Sequence, residues 1–196
     1  MVMDDTALAE ALADDLDAAF EALVHAHVDR CHTIALRVTG SHHDAEEVAQ
    51  DALVRAYRAL ATYPPERIRE LRLRPWLAKI VVNLCRNRLR RRLVPGVPLA
   101  LERLVEAGAE PHAPLASGPA ATIERHDARD RLAALLADLP ERYRVPVVLR
   151  HIDDLSYAEI AGVLGRPEGT LKAQVHRGLA MLRVAAAAAG LEELIA

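Results

Sequence analysis

Between Leu71 and Arg92 lie Arg72, Arg74, Lys79, Arg86, Arg88, Arg90, Arg91 and Arg92, and no carboxylate. A charge run is usually a solvated face with acids interspersed to pair with it. Here none is interspersed, so the segment favours an anionic polymer. Within it Lys79, Asn83, Arg86, Asn87 and Arg90 recur at helical steps, which puts them on one face, with Leu77, Ile80, Val81 and Leu84 opposite. Amides read base edges, and guanidinium groups pair with phosphate or guanine. The chemistry on offer is recognition of nucleic acid rather than bond-making.

A second constellation lies near the C-terminus. Ser156-Tyr157-Ala158-Glu159 spells a capping box, in which the hydroxyl caps a helix start and the carboxylate reaches back. Ile160, Ala161 and Leu164 supply the buried side of that short helix, and Gly165 supplies a turn that needs positive φ. Pro167 and Glu168 suit the first turn of the next helix. Its inward positions are Leu171, Val175 and Leu182; Thr170, Lys172, Ala173, Gln174, His176 and Arg177 face outward. A helical hairpin inside an ordinary bundle has the same spacing. The polar, basic outer face favours a helix-turn-helix that lays its second helix in the major groove.

Other candidates carry less. His25, His27, Cys31, His32, His42 and His43 form a loose group, and His27 and Cys31 share a helix face. No spacing closes a four-ligand set, so no metal and no cofactor are expected. There is no phosphate-binding glycine loop and no nucleophile elbow. Asp153-Asp154 precede a helix and suit a turn better than catalysis. No catalytic residue is assigned, and the expectation is a protein that is not an enzyme.

These groups must be positioned by helices. Of the 196 residues, 52% are hydrophobic but only 3% aromatic, so the core is built from Ala, Leu and Val, as close-packed helices allow. No strand pattern appears, and the expected fold is all-α. Ala45, Val48, Ala49, Ala52, Leu53, Ala56, Tyr57 and Leu60 make one apolar stripe, with Glu46, Glu47, Gln50, Asp51, Arg55 and Arg58 on the other face. An earlier helix over about Leu16 to Val38 completes this bundle, and the basic helix runs from Trp76 to Leu93 with Pro75 at its entrance. From Val94 to Thr122, five prolines and three glycines forbid a continuous helix beyond one turn at Leu99 to Val105. The spacing therefore predicts two small helical domains, 14–93 and 123–187, joined by a flexible linker over 94–122, the second containing the helix-turn-helix. Leu132, Leu135, Leu136 and Leu139 mark a helix ending at Pro140, and Pro146 should kink the one that follows.

The net charge is −3, yet Met1 to Asp17 is acidic throughout and the middle is basic, which implies one surface for an anion and others for protein. A secretory leader needs a positive start, and no apolar run approaches the ~18 residues of a membrane span. The expectation is a cytoplasmic protein, in which Cys31 and Cys85 stay reduced.

Three segments, in order, resemble a known family. Asp44-Ala45-Glu46-Glu47-Val48-Ala49-Gln50-Asp51 with Arg55-Ala56-Tyr57-Arg58-Ala59-Leu60 is similar to the polymerase-binding helix of extracytoplasmic-function RNA polymerase sigma factors. Pro75-Trp76-Leu77-Ala78-Lys79-Ile80, Asn83 and Arg88-Leu89-Arg90-Arg91-Arg92 resemble its promoter-melting and minus-10 helix. Leu139-Pro140-Glu141-Arg142, Leu155 to Ala161 and Gly169-Thr170-Leu171-Lys172 with His176-Arg177 resemble its minus-35 domain. The resemblance implies a sigma factor that binds core RNA polymerase and directs promoter-specific transcription initiation. It implies polymerase contacts at Asp44, Glu47, Gln50 and Asp51, and minus-10 contacts at Trp76, Lys79, Asn83, Arg86, Asn87 and Arg90. It implies minus-35 contacts at Thr170, Lys172, Gln174, His176 and Arg177. The family is often held inactive by an anti-sigma factor, so such a partner joins core polymerase and promoter DNA among the expected ones. The chain departs from the family at Leu53, where an aromatic is common, at Asn87, where an acid is usual, and at Ala173 and Gln174, where Ser and Arg are usual.

Two other readings compete. A self-sufficient DNA-binding regulator would use the helix-turn-helix but has no need of the acidic Asp44 to Leu60 face. A metal- or redox-sensing helical protein would centre on the His and Cys residues.

Overall fold

The computed structural model describes residues 4–93 and 131–191. The expected linker over 94–122, the turn at Leu99 to Val105 and the start of the second expected domain lie outside the described residues. All the regular structure among those described is helical.

The first helix, α1 (Asp5–Asp14), is one the sequence reading did not place. Asp4 caps it by accepting from the Ala7 amide at 2.7 Å, and Leu8, Ala9 and Leu12 are buried beneath it. The sequence registers this segment only as acidic, and its short apolar stripe lies among those acids. Asp15 caps α2 (Leu16–Thr39) in the same way, and α2 ends at Gly40, whose φ of 70° is left-handed and closes the last turn. Ser41 caps α3 (His42–Leu60), whose stripe Ala45, Val48, Ala49, Ala52, Leu53, Ala56 and Leu60 is buried. Tyr57 lies at the margin of that stripe, 37% exposed and edge-on to Phe20 with centroids 5.0 Å apart.

A short α4 (Pro65–Arg69) leads into α5 (Leu73–Leu93). α5 begins before the expected Trp76, with Pro75 inside its first turn, where a missing N–H leaves no helical bond unmade. Helices α1 to α5 form one bundle, in which α2 packs on α3 and α5, and α1 closes over α4.

The second part opens with α6 (131–137), which stops before Pro140 as the leucine pattern implies. Helix α7 (Glu141–His151) continues through Pro146, which has no N–H to give the carbonyl of Arg142. Then come α8 (Tyr157–Leu164) and α9 (Glu168–Ala189). Gly178 is buried where α9 crosses α7, and a Cβ there would meet Val147 Cγ2 at 2.7 Å. The two parts also touch, α8 against α5 and α7 against α2. No helix among the described residues is long and apolar enough to cross a membrane.

Candidate nucleic-acid interface

The helix-turn-helix forms as its sequence dictates. Ser156 Oγ accepts from the Glu159 amide at 3.3 Å, and Glu159 Oε2 accepts from the Ser156 amide at 2.8 Å. Gly165 has φ 64° and turns the chain. Ile160, Val163, Leu171, Val175 and Leu182 are buried and fix the angle between the two helices.

On α9 the outward set is exposed: Thr170, Lys172, His176 and Arg177 all face solvent. Gln174 is half-buried and accepts from Arg166 Nη1 at 3.3 Å, which holds its amide toward the turn. Two residues that the sequence does not assign as DNA contacts, Arg142 and Tyr143, stand beside Arg177. Arg142 lies over the Tyr143 ring, 4.8 Å from its centroid. Hydrogen bonding from Arg142 holds the Tyr143 hydroxyl below its usual range; slight burial opposes this and Arg177 adds to it. Arg142, Tyr143 and Arg177 thus form a cationic cluster from two helices, which spacing along one helix cannot reveal.

On α5, Lys79, Asn83 and Arg90 are exposed, and Trp76, Arg86 and Asn87 are half-buried. Trp76 packs edge-on to Tyr63, centroids 6.3 Å apart, and Arg67 lies 3.7 Å over the Tyr63 ring. This cation–aromatic stack is the kind of platform on which an unpaired base can stack. The Arg-rich loop before α5 signals its cations in sequence; that Tyr63 joins Trp76 depends on the fold of α4. Arg86 is turned toward the second part of the chain, its Nε donating to Glu141 Oε1 at 2.9 Å. Beside Trp76 and Lys79, a cleft of about 350 Å³ opens between α5 and α8.

The acidic face of α3 is not uniform. Gln50 and Asp51 are exposed. Glu47 is half-buried and paired with Arg88 of α5. Asp44 is only 5% exposed and accepts from Arg88 Nη1 at 3.2 Å. Asp44 is therefore placed in the joint between α3 and α5 and not on an open face. Asp44 and Asp51 stand two turns apart at nearly the same helical phase; they differ in cover, because Arg88 of α5 lies against Asp44 while Asp51 is left to solvent.

The histidines and cysteines near the N-terminus do not converge. Among the described residues, no three His, Cys, Asp or Glu side chains are gathered as a metal would need. His27 is buried beside Asp5, Nε2 to Oδ1 3.4 Å, and His32 stacks loosely on His42.

Comparison with known proteins accounts for both halves. Residues 23–93 match the family described as Sigma-70 region 2, and residues 129–182 that described as Sigma-70, region 4. The extracytoplasmic-function (ECF) RNA polymerase sigma factor SigW of Bacillus subtilis is 30% identical over 168 residues, covering 84% of this chain and 87% of that protein. The ECF sigma factor SigE of Mycolicibacterium smegmatis is 34% identical over 169 residues; the match takes in 84% of this chain and 60% of that protein's length. Among solved structures, CnrH in complex with the cytosolic domain of CnrY superposes with a TM-score of 0.64 at 26% identity, covering 94% of this chain and 97% of that one.

Proposed function

The chain belongs to the ECF RNA polymerase sigma factors, and from that premise we propose how its own residues carry out promoter-specific transcription initiation. The exposed Gln50 and Asp51 of α3, with Glu47 at the edge, dock on core RNA polymerase. The α5 face of Trp76, Lys79, Asn83, Asn87 and Arg90 meets the minus-10 element, with the Tyr63–Trp76–Arg67 stack receiving a base that has left the duplex. The α9 face of Thr170, Lys172, His176 and Arg177, joined by Arg142, holds the minus-35 duplex. Phosphate contacts there set position, and side chains of α9 in the major groove set sequence. Tethering makes the second DNA contact intramolecular once the first is made. The chain makes and breaks no bonds; polymerase supplies the catalysis. CnrH was solved bound to the cytosolic domain of CnrY, and a cytosolic anti-sigma segment is the proposed regulatory partner here.

The single observation that carries this reading is the pairing of the two DNA-facing surfaces with the acidic α3 face, in the family's order. The test is transcription with sigma-free core polymerase and fragments of the parent genome. Defined starts that need the protein support the proposal. Tight DNA binding with no affinity for core polymerase would instead establish a stand-alone regulator.

A further inference from the structure

Gly165 and Pro167 leave Arg166 little freedom. Gly165 closes α8 in the left-handed region, with φ 64°. Pro167, the N-cap of α9, has φ −60° and confines the residue before it to extended backbone. Arg166 is therefore presented at the foot of α9 in one direction. Its Nη1 donates to Gln174 Oε1 at 3.3 Å, and both residues are half-buried. Chemistry fixes the polarity of this bond. A guanidinium has N–H donors and no acceptor, so only the carbonyl of the Gln174 amide can answer it. The NH2 group, a donor alone, is left on the open side. We infer that Arg166 is a positioning residue and that Gln174 meets the minus-35 duplex as a donor only, through Nε2, so that the base it reads carries a keto oxygen.

Gln174 stands where it can reach a base. It lies in the second turn of α9, in the N-terminal part that a recognition helix sends to base edges. Thr170, four residues before it, and Arg177, three after it, are exposed and share its side of the helix. Ala173 beside it is exposed and carries only a methyl group. The cations are held by aromatic neighbours: Lys172 Nζ lies 5.6 Å over the Tyr157 ring, and Arg177 stands at the Tyr143 hydroxyl. Charged groups so held suit phosphates, which set position, and the neutral amide is left to set sequence. A free Gln amide reads adenine, its oxygen accepting from N6 while its nitrogen donates to N7. That needs both amide atoms side by side against the base edge. With the carbonyl turned to Arg166, the nitrogen alone faces the base. Guanine then offers O6 and N7, and thymine offers O4. Adenine N6 and cytosine N4 are donors, and a donor set against a donor leaves both unanswered, which weakens binding. Spacing along α9 cannot show this, because Arg166 lies outside the helix.

This inference rests on the minus-35 reading of α9, and the experiment separates the two. Holoenzyme assembled from sigma-free core polymerase and the full-length chain is offered promoter fragments that carry one of its start sites and are randomised over the upstream element. Bound fragments are recovered and sequenced. The wild type is expected to favour guanine or thymine over adenine and cytosine at one position, by about tenfold. Gln174→Glu keeps the size of the side chain and its bond to Arg166 but turns the presented donor into an acceptor. It is expected to reverse the preference at that same position, to cytosine or adenine, and to leave the other positions as they were. Arg166→Met frees the amide to turn, so the preference there should move to adenine. An identical profile for the wild type and Gln174→Glu removes Gln174 from the interface and overturns the inference. Reversal by Gln174→Glu with no change of preference in Arg166→Met overturns the positioning role; uniform weakening across all sequences in that variant would make Arg166 a phosphate contact instead. Recovery of fragments with no preferred base anywhere in the window is a different failure: the minus-35 reading of α9 falls, and this inference with it.

Discussion

Arg88 of α5 and Asp44 of α3 form an ion pair, Nη1 to Oδ1 3.2 Å, at the joint between the helix assigned to DNA and the helix assigned to polymerase. Glu47 shares the same guanidinium. Partial burial works against the charge on Arg88, yet Glu47 and Asp44 together hold its pKa above the ordinary value. The pair locks the rotation of α5 on α3, so the two functional faces keep a fixed angle. Asp44→Ala would leave Arg88 with a poorer partner beside buried Cys85. Because Arg88 keeps partial access to water, the cost should fall at or below the low end of that for breaking a buried pair, about 2–3 kcal/mol. Denaturant unfolding of the variant measures it. A loss under about 0.5 kcal/mol would show that water replaces the pair.

Asp51 supplies the contrast on the same helix. It is exposed, so Asp51→Lys should leave stability within about 0.5 kcal/mol of the parent. It should nevertheless weaken binding to core polymerase, most at low salt, as reversal of a rim charge does. Thermal melting and a polymerase affinity series in salt give the two readouts. Unchanged affinity removes Asp51 from the docking face.

How far sequence alone reaches is visible in these two residues. Periodicity finds the α3 stripe and the α9 inward set, because burial imposes a repeat on one helix. It finds the capping box and Gly165, because those are local rules. Asp44 was grouped with Gln50 and Asp51 because the resemblance includes it. A buried carboxylate reads as an exposed one until the Arg that neutralises it, far along the chain, is brought alongside. The Tyr63–Trp76 contact, the Arg142–Tyr143–Arg177 cluster and the Arg30–Asp153 ion pair are all contacts between elements, and no single-helix repeat carries them. Helix α1 was missed for the opposite reason: its acids dominate the composition, while its three buried residues make only one short stripe.

Gly178 tests the packing beneath the minus-35 face. A methyl group there meets Val147 Cγ2 at 2.7 Å and the Tyr143 Cβ and carbonyl at 3.3 Å, so α9 must move off α7. Gly178→Ala should cost about 1–3 kcal/mol by overpacking, despite the gain in helix propensity. Since Tyr143 would be displaced with Arg142, minus-35 affinity should fall as well. A stabilised variant would show that α7 yields without strain.

The two thiols should be inert in the folded chain. Burial pushes Cys31 up to about 11 and Cys85 up to about 12, and both are almost fully shielded from solvent. The thiolate is the reactive form, so at pH 8 neither should be modified by a disulfide reagent until denaturant is added, when both should react. Rapid reaction of one thiol under native conditions would mean that the α2–α5 packing opens locally.

Arg177 gives the sharpest test of the minus-35 face, because its neighbours predict what its loss leaves behind. It is exposed on α9, and the Tyr143 hydroxyl lies between it and Arg142. If it neutralises one phosphate, Arg177→Ala should weaken binding of a duplex carrying the protein's minus-35 element, and the slope of log affinity against log salt should become shallower by about 1. Arg142→Ala should act in the same direction, since the pair approaches DNA from two helices. The double variant should lower the slope by about 2 if each contacts a phosphate of its own. A double variant no worse than either single would mean that both arginines serve the same phosphate, with Tyr143 holding the two guanidinium groups in register.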